Sequence, residues 1–94
     1  MSFQPTQLKA FLTVVELGSL RAAADRLGVS PAAVSSSLAS LRQVVGAPLF
    51  VREGRGVRLT PAGNSFVEDV RRMVALTAAS IVSARASMRD TRVP

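Results

Sequence analysis

At 94 residues the chain is one small domain, long enough to bury roughly 60–65% of the surface its unfolded form exposes, and no second core fits. Its 48% hydrophobic and 19% charged residues mark a globular chain, and the absence of cysteine and histidine excludes a disulfide framework, a thiolate metal site and imidazole chemistry. Twelve basic residues against six acidic ones leave a net charge of +6, and all the bases but Lys9 are arginine, which points to a polyanionic partner.

No apolar run approaches the roughly 18–20 residues needed to cross a bilayer, and Met1 to Gln7 lacks a basic start followed by an apolar core, so a cytoplasmic chain without membrane contact is expected. Pro5 suits a first helical turn, and Leu8, Phe11, Leu12 and Val15 recur at helical spacing up to Gly18, which predicts a first helix over Pro5 to Leu17. Ser19 can cap a second, two-turn helix whose apolar side is Leu20, Ala23, Ala24 and Leu27, closed by Gly28. Ser30 and Pro31 repeat the capping signal and open a third helix that ends at Gly46. Only Gly28-Val29-Ser30 separates helices two and three, which forces a steep crossing and presents the third helix outward, the helix-turn-helix arrangement.

Along that third helix Val34, Leu38, Leu41 and Val45 make one buried stripe. Ala32, Ser35, Ser36, Ala39 and Gln43 point the other way, leaving an exposed face with no charge and no bulky group. After Pro48 the period changes. Leu49-Phe50-Val51-Arg52 and Val57-Arg58-Leu59-Thr60 are β-prone runs around a four-residue tip, Glu53-Gly54-Arg55-Gly56, which predicts a hairpin wing over residues 49–60. Thr60-Pro61 then starts a long helix to about Met88. Its stripe of Phe66, Val70, Met73, Thr77, Ile81, Ala84 and Met88 spans roughly 40 Å, more than a small winged core can cover, so a partner helix from a second copy is expected. The fold class is therefore mainly α: a winged helix-turn-helix with a two-stranded β wing over residues 1–60, a long C-terminal dimerisation helix over 61–89, and a fraying tail over 90–94.

Together these residues resemble the N-terminal DNA-binding domain of LysR-type transcriptional regulators. The resemblance rests on Gln7-Leu8-x-x-Phe11, Gly18-Ser19-Leu20, Ala22-Ala23-Ala24-x-x-Leu27, Val29-Ser30, Ala33-Val34-Ser35, Leu38, Leu41, Gly46, Leu49-Phe50-x-Arg52 and Leu59-Thr60-x-Ala62-Gly63. The N-terminal winged helix of ModE-type molybdate regulators is similar as well. The LysR resemblance implies a cytoplasmic dimer that places two recognition helices in successive major grooves, with the wings on flanking backbone or minor groove. It also implies that any effector binds a domain beyond this stretch. Where members commonly carry glutamine, then proline or serine, after Val-Ser, this chain has Pro31 and Ala32. Where they carry arginine or histidine and then glutamine, it has Ser36 and Ser37, and the usual glutamate after Leu41 is Arg42.

The expected DNA contacts are Ser30, Ala32, Ser35 and Ser36 on the recognition helix and Arg52, Arg55 and Arg58 on the wing. Hydroxyls can bond phosphates or base edges, an alanine methyl can meet a thymine methyl, and arginines suit phosphate or the minor groove. The same Ser/Ala face also suits a helix–helix contact, and the wing arginines could pair with Glu53. Arg21 and Arg26 lie on helix two, Arg42 lies toward the end of helix three, and Arg26 equally suits an ion pair with Asp25 or a neighbouring helix. The expected dimer contacts are Phe66, Val70, Met73, Thr77, Ile81 and Ala84. Six scattered acids and no His, Cys or Tyr offer no metal cluster and no activated nucleophile, so neither a cofactor nor an enzyme is expected. The competing function is a winged-helix interaction or dimerisation module with weak or no specific DNA readout.

Overall fold

The computed structural model describes residues 4–90 and contains α1 (Pro5–Leu17), α2 (Leu20–Leu27), α3 (Pro31–Val45), β1 (Phe50–Glu53), β2 (Gly56–Leu59) and α4 (Pro61–Asp90). Each of the first three helices ends where a left-handed residue is needed. Gly18, Gly28 and Gly46 take φ of 68°, 69° and 82°, and their N–H groups return to carbonyls of the last turn. The Ser19 and Ser30 side chains accept from the N–H groups of Ala22 and Ala33, at 3.2 and 3.1 Å, so both expected caps are formed. Residues 91–94 of the expected fraying tail lie outside the described residues, and Asp90 belongs to α4.

The hairpin is tighter than the sequence pattern predicts. Pairing runs from Phe50↔Leu59 out to Glu53↔Gly56, so the turn is the two residues Gly54-Arg55 rather than a four-residue tip. Gly54 carries the positive φ of 60° and Arg55 does not, the pattern of a turn with glycine first, whose twist matches that of the strands. Thr60 closes the base of the wing. Its N–H donates to the Leu49 carbonyl at 3.0 Å, and its hydroxyl donates to the Pro48 carbonyl at 2.6 Å while accepting from the Gly63 N–H at 3.0 Å. One residue thus seals the ribbon and caps α4.

The core is built around Phe11, which is fully buried between the wing and the long helix. Its ring lies 5.4 Å from Phe50 and 5.1 Å from Phe66, tilted by 53° and 56°, arrangements that favour aromatic pairs beyond area burial alone. Leu41, Leu49, Val67 and Val70 complete this cluster, and Val14, Ala23, Ala24 and Val34 form the adjoining one where α1, α2 and α3 meet. The alanines let α2 approach its neighbours closely.

The long stripe of α4 divides in two. Phe66 and Val70, expected against a partner helix, are instead buried in the chain's own core, and Met73 packs half-buried against it. They fall on the first three turns, which lie over α1 and the wing, so the short core claims them. Thr77, Ile81 and Ala84 lie beyond it and are exposed, as are Val74 at 48% and Leu76 at 69%. The side chain of Met88 lies outside the described residues. The overall extents of 62 × 27 × 21 Å reflect this overhang.

Candidate nucleic-acid interface

The recognition helix stands on α1 and α2 through Val34, Leu38 and Leu41, as its apolar stripe requires. Ala32, Ser35, Ser36, Ala39 and Gln43 are all exposed. At 100° per residue they resolve into two lines. Ala32, Ser36, Ala39 and Gln43 form the outermost edge, whereas Ser35 and Arg42 lie to one flank, seven residues apart. Ser30 is exposed with its hydroxyl oxygen engaged as the helix cap, which leaves its proton free to donate outward.

That flank faces the wing across an open cleft of about 840 Å³. The α2–α3 wall contributes Arg21, Ser35, Ala39 and Arg42, and the wing contributes Arg52 and Arg55. No carboxylate of the described residues lines it. Among the described residues, the ion pairs all lie elsewhere: Glu16 with Arg26 at 3.6 Å, Glu53 with Arg58 at 2.8 Å, and Asp69 with Arg72 at 3.0 Å. Arg21, Arg42, Arg52 and Arg55 are exposed and have no ion-pair or side-chain hydrogen-bond partner among those residues. The result is a concave, uniformly positive surface beside an uncharged helix edge, the field expected to draw in a polyanion.

The wing arginines fall on different faces of the ribbon. Strand alternation puts Arg52 on the same ribbon face as Phe50, Val57 and Leu59, so it extends past the core into the cleft. Arg58 sits opposite Val51 on the outer face, bound diagonally to Glu53 and absent from the cleft lining. Arg55 occupies the turn itself. Arg21 and Arg42 are cleft residues that the sequence pattern did not bring out as contacts. For Arg42 the signal was present, since it continues the helical line of Ser35 by two turns.

Besides the packing of Phe50, Val57 and Leu59 on the core, a backbone hydrogen bond ties the wing to the helices. The Val57 N–H donates to the Gly18 carbonyl in the α1–α2 turn at 3.0 Å. Gly56 beside it has no room for a side chain, because a Cβ would strike the same Gly18 carbonyl oxygen. The position of Arg52 and Arg55 relative to α3 is therefore set by this backbone contact together with the packing of Phe50, Val57 and Leu59 on the core.

Comparison with known proteins places this architecture. Residues 5–64 match the family model described as bacterial regulatory helix-turn-helix protein, lysR family. The HTH-type transcriptional regulator TfdS of Cupriavidus pinatubonensis is 45% identical over 83 residues, covering 88% of this chain and 28% of that protein. ClcR of Pseudomonas putida is 43% identical over the same coverage. The chain thus spans little more than a quarter of the length of these curated relatives. Among solved structures, the CbnR_DBD–DNA complex superposes with a TM-score of 0.85 at 40% identity, over 94% of this chain and 99% of that one. Full-length CbnR complexed with its target DNA gives a TM-score of 0.82 at 41% identity, over 92% of this chain and 29% of that one. With the family match covering the three helices, the wing and the start of α4, the chain belongs to the LysR family of bacterial helix-turn-helix regulatory proteins.

Proposed function

We propose that this chain binds double-stranded DNA as the reading head of a cytoplasmic, dimeric transcriptional regulator. In this reading residues 1–60 form the DNA-binding unit, with α3 in a major groove and the wing on the adjacent backbone or minor groove. The observation that carries it is the set of four arginines from α2, α3 and the wing that, among the described residues, have no ion-pair partner and surround one cleft lined by no carboxylate. A winged-helix module used only for protein contacts has no need to leave four like charges uncompensated on the flank of its exposed helix. The CbnR_DBD–DNA complex, a structure of nearly the same extent, supports the same reading.

The N-terminal half of the recognition edge lacks any forked group. Ser35 and Ser36 can each make short hydrogen bonds, and Ala32 can meet a thymine methyl, while Gln43 near the C-terminal end is the residue of that edge able to make a two-pronged base contact, which discriminates by about 1–3 kcal/mol. Affinity therefore comes mainly from backbone phosphates, with Arg52 and Arg55 contributing and Arg58 held back by Glu53. Dimerisation falls to the overhanging part of α4, where Thr77, Ile81 and Ala84 continue the buried stripe into solvent and Val74 joins them. Electrophoretic mobility shift of genomic duplex fragments by the purified chain across a salt series tests the proposal. Retardation that weakens steeply with salt is expected, and no retardation at low salt would support the adaptor reading instead.

A further inference from the structure

Two guanidinium groups that line one concave surface repel each other unless an anion lies between them. Arg42 reaches the cleft from the last turn of α3, and Arg52 reaches it from the core-side face of β1. Both are exposed, and among the described residues both are unpaired and no carboxylate lines the cleft they share. The carboxylate that the wing does carry, Glu53, lies on the opposite ribbon face and is taken by Arg58. Arg21 adds a further positive charge on the α2–α3 wall.

We propose that Arg42 and Arg52 hold one backbone phosphate between them, so that a single DNA strand is gripped from the recognition helix on one side and from the wing on the other. The inference rests on the DNA-binding reading and names the residue on α3 that anchors the strand. Arginine suits this role because its planar fork can offer two donors to one phosphate while keeping a full charge. A cation in the last turn of α3 also interacts favourably with the helix C-terminus. That second role acts on folding and does not depend on DNA.

The test measures duplex affinity of the full 94-residue chain by fluorescence anisotropy over a series of salt concentrations, using a mixed-sequence duplex, with a thermal melt of each variant. Because Arg52 still holds the shared phosphate, Arg42→Gln alone is expected to weaken binding while making the slope of log K against log salt shallower by less than about 0.9. The Arg42→Gln/Arg52→Gln double variant loses the one phosphate and is expected to flatten the slope by about 0.9 in total, as is Arg42→Glu, which pairs with Arg52 and withdraws it as well. Arg42→Lys should restore most of the wild-type slope. Single variants that each flatten the slope by about 0.9 and a double variant that flattens it by about 1.8 show two separate phosphates, and a double variant at the wild-type slope shows none; either overturns the shared phosphate while leaving DNA binding intact. A lowered melting temperature in Arg42→Gln, with a double-variant slope no shallower than that of Arg52→Gln, assigns Arg42 to the helix end alone and overturns it too. Wild-type protein that binds no duplex at any salt overturns both this inference and the reading beneath it.

Discussion

Replacing Gly56 by alanine tests whether backbone contact sets the wing. The added Cβ meets the Gly18 carbonyl oxygen, which belongs to a capped helix end and has no rotamer through which to retreat. Forcing the methyl in costs about 1–3 kcal/mol, as overpacking does elsewhere. If the ribbon swings outward instead, it breaks the 3.0 Å bond from the Val57 N–H to that carbonyl, worth about 1 kcal/mol. It also loosens Phe50 from Phe11. A loss of about 2 kcal/mol or more lowers the melting temperature of a domain this size by at least about 8 °C. Differential scanning calorimetry reads that directly, and the salt slope of duplex binding should flatten in parallel as Arg52 and Arg55 leave the cleft. A melting point lowered by less than about 2 °C with an unaltered slope would refute the idea that the Gly18 contact fixes the wing.

Phe11→Ala removes the ring shared by Phe50 and Phe66 and should destabilise the domain by about 3–5 kcal/mol in urea unfolding. Ile81→Asp should leave the melting curve of the winged core intact while shifting sedimentation toward monomer, because Ile81 is half exposed and lies beyond the core. Val70→Asp, on the same stripe but fully buried, should unfold the domain instead, and circular dichroism separates the two outcomes. Thr60→Val should cost about 1–2 kcal/mol by removing both the α4 cap and the bond to the Pro48 carbonyl, and chemical denaturation measures it. Arg58→Ala should change the salt slope less than Arg52→Ala, since Glu53 already occupies Arg58.

Much of the fold was legible because its punctuation is local. Ser19, Ser30 and Pro31 start helices, and Gly18, Gly28 and Gly46 stop them, through bonds that span only three or four residues. What sequence left open are properties of pairs. Periodicity shows that Phe66, Val70, Thr77 and Ile81 share a face of α4, but only packing decides that the first two cover Phe11's cluster and the last two do not. Likewise Arg52 and Arg58 look equivalent until strand register sends them to opposite faces of the ribbon. The shortened turn has the same origin, since the cross-strand partner of Glu53 is fixed by pairing rather than by residue type. Arg42 was visible as a member of the Ser35 line, yet its importance depends on Arg52 arriving from another element.

The division of α4 has a mechanical consequence. Its first turns are locked to the winged core through Phe66, Val67 and Val70, so the axis of the helix and the axis of α3 move as one rigid piece. The helix is about 45 Å long at 1.5 Å per residue, and its free end is where a second copy would join. Two copies joined there would behave as the arms of a pair of calipers. A change of about 10° in the angle between the arms would displace the two reading edges relative to each other by about 7 Å over roughly 40 Å arms, close to the rise of two base pairs. Small adjustments at the joint, made far from any base, would then decide which spacing of half-sites the pair can span.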